Sequence, residues 1–275
     1  MRPGIFAKTF NHPSLAGILD AVKESAFSSI QFNMACAGLP SMPEFIPADL
    51  PPQIAAAVSE KELIMAALSG TFNMIHPDES IRQQGLHSLQ QLINHAGEMN
   101  TSVITLCTGS YDTKDMWRFH PDNNSREAWA ALCDTTEKAL EMAETSNVVL
   151  AIEPELANVI NTTEKAKQLI SEMRSEHLKV VFDPANLFEI ATPKEIEKLI
   201  SEGLYLLAEH IVIAHAKDRR ADGSFTAAGL GVLPYSFFLK SLKETGFDGD
   251  VITHGLSEKE ILPCSIFLHK QLSSL

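Results

Sequence analysis

Four short apolar runs in the second half of the chain each end in a residue that can bind a metal or transfer a proton. These residues are, in chain order, Glu153, Asp183, His215 and His254. The runs before them are β-branched or aliphatic and bounded by polar residues, a pattern typical of buried strands. Carboxylate and imidazole groups together bind divalent transition metals. If the four runs are neighbouring strands, their ends would form one metal site.

Each of these residues also has a structural explanation when it is taken alone. Asp183 could cap the helix that follows it, and a single histidine at a strand end is commonly a structural residue. Four unpaired polar groups in one pocket, however, would be costly to desolvate, and a divalent cation offsets that cost. We therefore expect one divalent metal ion. The mixed ligand set favours Mn²⁺, with Zn²⁺, Co²⁺ or Fe²⁺ as alternatives, over Mg²⁺ or Ca²⁺.

Similar strand-like runs recur along the whole chain, and segments with helical periodicity separate them. We predict eight strands, at Gly4–Phe10, Ser28–Asn33, Gly70–Ile75, Ser102–Cys107, Val148–Glu153, Leu178–Asp183, Ile211–His215 and Asp250–His254. Predicted helices include Ser80–Met99, Ser125–Thr145, Thr162–Ser175, Thr192–His210 and a last one near Pro263–Leu272. Thr163 and the Thr192-Pro193 pair are typical of helix starts.

Regular alternation of strands and helices indicates a parallel sheet that is buried on both faces. A doubly wound open sheet is the competing architecture. Three observations favour a closed barrel instead. The chain has eight predicted strands, it lacks a GxGxxG motif after the first strand, and no change in composition along the chain marks a second domain. We therefore predict an α/β fold, a single (β/α)8 TIM barrel, with residues 1–275 forming one domain. Active sites in such barrels lie at the carboxyl ends of the strands.

Composition and charge narrow the partners and the compartment. The chain has 275 residues, 45% of them hydrophobic, and a formal net charge of −13. This charge disfavours binding to nucleic acid or to anionic membranes. The four cysteines form no CxxC pair, no apolar run approaches a membrane span, and the first residues lack the layout of a signal peptide. We expect a cytoplasmic protein.

Four segments carry a resemblance to a known family. They are Ile152-Glu153-Pro154-Glu155, Phe182-Asp183-Pro184-Ala185-Asn186-Leu187, His215-Ala216-Lys217-Asp218 and Gly229-Leu230-Gly231. Over essentially the whole chain, the sequence resembles the sugar phosphate isomerase/epimerase superfamily, the xylose isomerase-like TIM barrels. That superfamily includes tagatose and psicose 3-epimerases, hydroxypyruvate isomerases, inosose dehydratases and, more distantly, endonuclease IV enzymes.

The resemblance implies a metal bound by Glu153, Asp183 and His215. The sequence departs from the family pattern at two positions. His254 stands where epimerases usually present a glutamate that is both ligand and base, and Asn186 stands where many carry a histidine. Imidazole can still ligate, so the metal site is compatible with the first change. With a histidine at position 254, however, the chain lacks the second of the two glutamates that transfer protons in the epimerases of the family.

The chemistry that the resemblance implies is proton abstraction next to a carbonyl, through a metal-stabilised ene-diolate. We expect Glu153 to be the base, with His254, Glu155 or Lys217 acting on the other face of the substrate. Residues that we expect to contact substrate are His76 at the end of the predicted third strand, Trp117 and His120 in the loop after the fourth, and Asn158, Asn186 and Arg219.

Three classes of function follow from this site. The first is a metal-dependent isomerase or epimerase of a small sugar, sugar phosphate or keto acid. The second is a lyase of the same superfamily, similar to inosose dehydratase. The third is a non-catalytic sugar-binding barrel, which the change to His254 keeps open. Activity like that of endonuclease IV is disfavoured by the charge of −13, and a homodimer or homotetramer is expected only by analogy.

Overall fold

A computed structural model describes all 275 residues and contains nine strands and eight α-helices in near-regular alternation. The strands are β1 (Arg2–Phe6), β2 (Ser29–Phe32), β3 (Ile64–Ser69), β4 (Val103–Cys107), β5 (Val149–Glu153), β6 (Leu178–Phe182), β7 (Ile211–Arg219), β8 (Phe225–Ala227) and β9 (Asp250–Thr253). The helices are α1 (Leu15–Glu24), α2 (Leu50–Glu60), α3 (Glu79–Ala96), α4 (Arg126–Thr145), α5 (Thr163–Met173), α6 (Pro193–Leu207), α7 (Tyr235–Glu244) and α8 (Glu258–Ser273).

Eight of the strands close into a ring. Strands β1 to β7 pair in sequence and in parallel, and β9 lies between β7 and β1, parallel to both. The short strand β8 folds back antiparallel on the end of β7 and stays outside the ring. The predicted α/β class and the single (β/α)8 barrel are therefore confirmed. None of the helices has both the length and the apolar character needed to cross a membrane.

Seven of the eight predicted strands overlap a strand of the barrel, and the third does not. We predicted Gly70–Ile75, whereas β3 is Ile64–Ser69. The predicted segment is apolar because Phe72, Met74 and Ile75 pack into the core from a loop. A short apolar run does not distinguish a strand from a buried loop. The prediction that the third strand ends at His76 is therefore wrong.

Side-chain caps explain why helices begin where they do. Thr192 and Glu195 form a reciprocal capping box at the start of α6, with Pro193 in the first turn, as predicted for Thr192. Helix α5 begins at Thr163, as predicted, and the hydroxyl of Thr162 before it accepts the hydrogen bond from the backbone of Lys165. Each such cap stabilises its helix by about 1 kcal/mol.

The interior of the barrel is filled by a small apolar cluster. Its buried members are Ala67, Ala151, Val181, Ile213 and Ile252. Side chains two positions apart on a strand point to the same face. The residues two positions after these five therefore stand above the cluster, at the carboxyl end of the barrel. They are Ser69, Glu153, Asp183, His215 and His254.

Candidate functional site

Four metal-binding side chains converge above the apolar cluster, as the alternation along the strands requires. Glu153 is the last residue of β5, Asp183 follows β6, His215 lies within β7 and His254 follows β9. One potential ligand atom from each lies within 4.8 Å of the others. The Asp183 side chain is fully buried, and the His254 side chain keeps 21% of its surface exposed. The group is thus closed from below and open toward the mouth.

Two atoms of this group are buried without a hydrogen-bond partner. They are Asp183 Oδ2, which has the charge of Lys217 Nζ 3.2 Å away but no hydrogen bond, and His254 Nε2, which faces it at 3.4 Å. Native proteins satisfy nearly all buried polar atoms, because an unsatisfied one costs about 1–3 kcal/mol. A cation between carboxylate and imidazole would satisfy both atoms. The group of four predicted ligands can therefore bind a divalent metal.

The other two ligands meet at a single oxygen. Glu153 Oε1 accepts a hydrogen bond from Asn186 Nδ2 at 2.8 Å and lies 3.1 Å from His215 Nδ1. No hydrogen bond is directed at Glu153 Oε2. One oxygen of this carboxylate is thus held in place, while the other is free toward the cavity.

The charges around the two carboxylates keep them ionised. Burial alone would raise the pKa of Asp183, but Lys217, His254 and His215 outweigh it and hold that pKa below its usual value. Burial likewise opposes ionisation of Glu153, and the positive charge that His215 carries when it is protonated outweighs burial, so that without a metal this pKa is lowered as well. Ionised carboxylates are the forms that bind metal.

His254 is held in the form that ligates. Burial, and then the nearby His215 and Lys217, lower the pKa of His254. Its ring packs on that of His215 with centroids 4.4 Å apart and planes tilted by 56°. A neutral imidazole offers a lone pair to a metal, whereas a protonated one does not.

Lys217 supplies a fixed positive charge beside the metal-binding group. Its Nζ lies 3.2 Å from Asp183 Oδ2 and donates to Asn186 Oδ1 at 2.7 Å. It also lies 4.0 Å from the centre of the Phe225 ring. Burial would lower the pKa of Lys217, but Asp183, Glu153 and Glu155 outweigh it and raise that pKa. The ammonium group is therefore a stable charge rather than a ready proton donor.

Glu155 differs from the other acidic residues of the site. Its side chain lines the cavity, and no hydrogen bond involves its carboxylate. Burial raises the pKa of Glu155 to about 7, with Glu153 and Asp183 adding to the effect and Lys217 opposing it. Both protonation states are therefore accessible near neutral pH, which suits a general acid or base.

A cavity of about 520 Å³ opens above these groups at the carboxyl end of the barrel, a volume suited to a small organic ligand. One wall is formed by Glu153, Glu155, His215, Lys217, Phe225 and His254. The opposite wall comes from β1 to β4 and the segments after them, with the following members: Phe6, Lys8, Gln31, Asn33, Ser41, Ser69, Thr71, Thr105, Leu106, Cys107, Met116 and Trp117. Apart from Lys8, this wall is uncharged.

Of the six residues predicted to contact substrate, Trp117 alone lines the cavity. The ring of His76 instead accepts a hydrogen bond from the backbone of Asp78, because β3 ends before it. The ring of His120 caps a short 3-10 turn. Both histidine rings thus stabilise loops by accepting backbone hydrogen bonds and do not line the cavity.

Asn158, Asn186 and Arg219 also lie outside the cavity wall. Asn158 joins two loops by accepting from Gly109 N and donating to the backbone of Met116. Asn186 bridges the metal-binding group and Lys217. The guanidinium of Arg219 donates to two backbone carbonyls and stacks on Phe225. Each amide or guanidinium is used to position neighbours.

The glycine-containing segment after β8 has a structural explanation. The Asp218 carboxylate accepts four backbone hydrogen bonds, from Arg219, Gly229, Gly231 and Leu233. A Cβ at Gly231 would lie 2.1 Å from a backbone oxygen, so a side chain there would clash. Asp218 thus fixes the path of the chain from β7 into α7.

Sequence reasoning missed the uncharged wall, in particular Gln31, Ser69 and Thr105. A usable signal was present, since Thr105 follows Val103 by two positions and both therefore face the interior. The same period places Ser69 after Ala67. The prediction considered only charged residues at strand ends and therefore missed these neutral ones. Ser69 was also missed because the third strand was predicted to begin after it, at Gly70.

A second groove of about 640 Å³ lies along α6, between the helix and residues 188–191. Its charged groups are all exposed: Glu189 in the loop, and Glu195, Lys198 and Glu202 on one face of the helix. It brings together no buried titratable groups. The cavity in the barrel mouth is therefore the candidate site.

Residues 19–259 match the family model described as xylose isomerase-like TIM barrel. The match covers most of the chain, and the closed barrel agrees with it. The chain belongs to this family, as the resemblance of its strand-end motifs predicted.

Among curated proteins, the chain is similar to L-ribulose-5-phosphate 3-epimerase UlaE of Shigella flexneri serotype 5b (strain 8401), with 25% identity over 189 residues. The aligned segment covers 68% of this chain and 61% of that protein. The UlaE protein of Escherichia coli (strain ATCC 8739) is 26% identical over 183 residues, which cover 66% of this chain and 59% of its own length. The chain thus spans about three fifths of the length of these relatives.

Solved structures share the fold. An E. coli 3-keto-D-glucoside 4-epimerase, YcjR, superposes with a TM-score of 0.76 at 16% identity, over 98% of this chain and 99% of that one. An L-ribulose 3-epimerase gives the same score and identity over 99% and 95%. The IOLI protein, described with a binding zinc atom, gives 0.74 at 16% identity over 100% and 99%. At these identities the likeness shows the fold alone.

Proposed function

We propose that the chain is a metal-dependent isomerase or epimerase of a small sugar, which moves a proton next to a carbonyl group. One observation carries the proposal. A carboxylate with a free oxygen, Glu153, stands at the edge of a metal-binding group and faces a cavity of about 520 Å³. The epimerase names of the similar proteins support the same chemistry.

The metal would be held by Glu153, Asp183, His215 and His254. Two carboxylates and two imidazoles suit Mn²⁺, Zn²⁺, Co²⁺ or Fe²⁺, and among these we propose Mn²⁺. When bound, the cation supplies polarisation of a substrate carbonyl and stabilises the negative charge that develops on its oxygen.

Glu153 is the proposed base. Its Oε1 is held by Asn186 and faces His215, so the direction in which Oε2 points is fixed. A lowered pKa keeps this carboxylate ionised and able to accept a proton. Asn186 in turn accepts a hydrogen bond from Lys217. Asn186 and Lys217, both buried, therefore position the base together.

Glu155 is the proposed partner in proton transfer. It follows Glu153 by two positions, and its pKa of about 7 lets it donate or accept a proton at neutral pH. The Lys217 ammonium group keeps its proton and contributes positive charge, which stabilises an anion that forms in the cavity. Of the three groups expected on the far face of the substrate, we favour Glu155 for proton transfer, with His254 used as a ligand. Glu155 lines the same wall as Glu153 rather than the opposite one.

The uncharged wall is proposed to bind the hydroxyl groups of the substrate. Asn33, Ser69 and Thr71 line the cavity with groups that both donate and accept hydrogen bonds. Trp117 and Phe6 offer apolar faces for the C–H side of a sugar. Such a wall suits a polyhydroxylated carbonyl compound of the kind that the names of the similar proteins describe.

The experiment is solvent-deuterium exchange. Chain reconstituted with Mn²⁺, Co²⁺ or Zn²⁺ is incubated in D₂O with L-ribulose, L-ribulose 5-phosphate, D-psicose or D-tagatose, and proton NMR follows the hydrogen next to the carbonyl. We expect loss of that signal together with a new isomer or epimer for at least one sugar. Tight binding without exchange would instead support a non-catalytic sugar-binding barrel.

Two variants test the assignment of the base. Glu153→Gln should abolish exchange while metal stays bound through the other ligands, and Glu155→Gln should slow product formation more than it slows metal binding. Unchanged exchange in Glu153→Gln would show that another group takes the proton. Metal content, measured on the same samples, separates loss of the base from loss of the metal.

A dehydratase is the second candidate, and the placement of Glu155 favours it. Two carboxylates on one strand end could take a proton and protonate a leaving hydroxyl from the same wall. Such a reaction converts a hydroxy-carbonyl substrate to an unsaturated carbonyl product and water. A new ultraviolet absorbance of a conjugated carbonyl, with an inosose as substrate, would identify it.

A further inference from the structure

From the uncharged wall of the cavity to the metal-binding group, three buried polar side chains form a chain of hydrogen bonds, Thr105, Gln31 and His215. Thr105 Oγ1 donates to the backbone oxygen of Leu68 at 3.4 Å and accepts from Gln31 Nε2 at 3.1 Å. The hydroxyl proton of Thr105 is thus used, and only its lone pair faces the amide. This arrangement determines which end of the Gln31 amide points toward Thr105.

The other end of the amide points at a metal ligand. Gln31 Oε1 lies 2.9 Å from His215 Nε2. An amide oxygen only accepts hydrogen bonds, so this ring nitrogen must carry a hydrogen. In the neutral ring, the remaining lone pair then belongs to Nδ1, which faces Glu153 Oε1 at 3.1 Å.

Two acceptors that face each other at this distance suit a shared cation. We infer that Gln31, oriented by Thr105, is a positioning residue that holds His215 with hydrogen on Nε2 and presents Nδ1 to the metal. This inference rests on the metal centre of the proposed function. It concerns the chain's own residues and requires no particular substrate.

The alternation along the strands explains why these residues meet. Thr105 and Gln31 come from β4 and β2, and His215 comes from β7, across the barrel. The side chains of Gln31 and Thr105 are buried, with 6% and 3% exposure. Because few waters could replace either of them, loss of one partner leaves the next unsatisfied.

The test measures zinc affinity and the bonding of His215 without substrate. Competition titration with a zinc-binding dye gives the dissociation constant, and ¹⁵N NMR of histidine-labelled, zinc-loaded protein shows which nitrogen carries hydrogen. In the wild type we expect zinc on Nδ1 and hydrogen on Nε2. Gln31→Met, which keeps the length but removes the acceptor, should weaken zinc binding by about 10- to 100-fold.

Conservative variants separate positioning from packing. Gln31→Glu keeps an acceptor for Nε2–H and should stay within a few-fold of the wild type, and Thr105→Ser should do the same. Thr105→Val frees the amide to turn and should weaken binding less than Gln31→Met does. Ser69→Ala, at a neighbouring interior position without contact to His215, is the matched control and should leave zinc affinity unchanged.

Three results would overturn the inference. They are zinc bound through Nε2, undiminished affinity in folded Gln31→Met, and equal losses in Gln31→Met and Gln31→Glu. A wild type that binds no zinc would contradict the metal centre and the inference together. A wild type that binds zinc as expected but exchanges no substrate proton would contradict the proposed reaction and leave the inference supported.

Discussion

The two halves of the barrel mouth contribute opposite kinds of side chain to one cavity. At the ends of β5, β6, β7 and β9, the inward positions are Glu153, Asp183, His215 and His254. On β1 to β4, the corresponding positions are Phe6, Gln31, Ser69 and Thr105. The first half, the metal half, is built from charged or ligating groups. The second, the neutral half, is built from neutral ones, although strand geometry is the same in both.

This difference separates two tasks. Buried carboxylates require compensating positive charge, which Lys217 provides in part and the proposed metal would complete. The neutral half needs only hydrogen bonds, and its groups can contact a sugar without changing the charge of the site. Substitutions in the first half should therefore alter metal binding and stability. In the second half, Gln31 and Thr105 should affect metal binding through their contact with His215, whereas Ser69 should affect substrate affinity alone.

Lys217→Met should have the largest effect on stability, because it removes the charge nearest to Asp183. Breaking a buried ion pair costs about 3–5 kcal/mol, and we expect a loss of that order in chelator-treated protein by denaturant unfolding. Added zinc should stabilise this variant more than it stabilises the wild type, because the cation takes over part of the charge compensation. Lys8→Met, at the exposed side of the same mouth, should change stability by less than about 0.5 kcal/mol. Equal stabilities of the two variants would contradict the assigned role of Lys217.

Glu155→Gln should remove a pH dependence from the stability of metal-free protein. In the wild type the folded chain raises the pKa of Glu155 from 4.5 to about 7, chiefly through burial. The folded form therefore binds the extra proton, and its stability falls as pH rises from about 4.5 through 7. Thermal unfolding between pH 5 and 8 should show a smaller fall in the variant. Glu164→Gln, on the exposed start of α5, should keep the wild-type profile; identical profiles for all three proteins would place the titration elsewhere.

The metal half was largely predictable from the sequence, and the reason is local. Each ligand ends or directly follows an apolar run of the sequence, so its position above the core is set by a period of two along one segment. Glu155 and Lys217 follow from the same period. Four such ends in succession have few structural explanations other than a shared site.

The neutral half was not predictable in the same way. Gln31, Ser69 and Thr105 are ordinary polar residues within strands, and their roles come from contacts with distant segments. Gln31 contacts His215 across 184 positions of the chain. The apolar loop that contains Phe72 and Met74 also displaced the predicted third strand, which is why His76 was expected at the mouth. The roles of these residues depend on contacts between segments that are distant in the sequence, and no local sequence pattern reveals such contacts.

Ser69→Ala should change substrate use without changing metal content. Ser69 lines the cavity, and loss of one hydrogen bond to a neutral group costs about 0.5–1.5 kcal/mol. We therefore expect kcat/KM to fall by about 2- to 12-fold, measured with whichever sugar exchanges. A loss of bound metal in this variant would erase the distinction between the two halves.

Trp117→Ala should have the smallest effect on the fold. The side chain is 52% exposed and lines the cavity from the loop after β4. We expect a rise in KM with stability unchanged within about 0.5 kcal/mol. Phe119 is equally exposed, at 51%, and lies outside the cavity wall, so Phe119→Ala is a matched control. Equal changes in KM would assign the effect to the loop as a whole.

The most direct test of the central claim is metal content by plasma mass spectrometry on untagged protein purified without chelator. The proteins compared are the wild type, Asp183→Ala from the metal half and Ser69→Ala from the neutral half. We expect close to one transition-metal ion per chain in the wild type and in Ser69→Ala, and almost none in Asp183→Ala. Absence of metal from the wild type after reconstitution, or its retention in Asp183→Ala, would contradict the proposed metal centre.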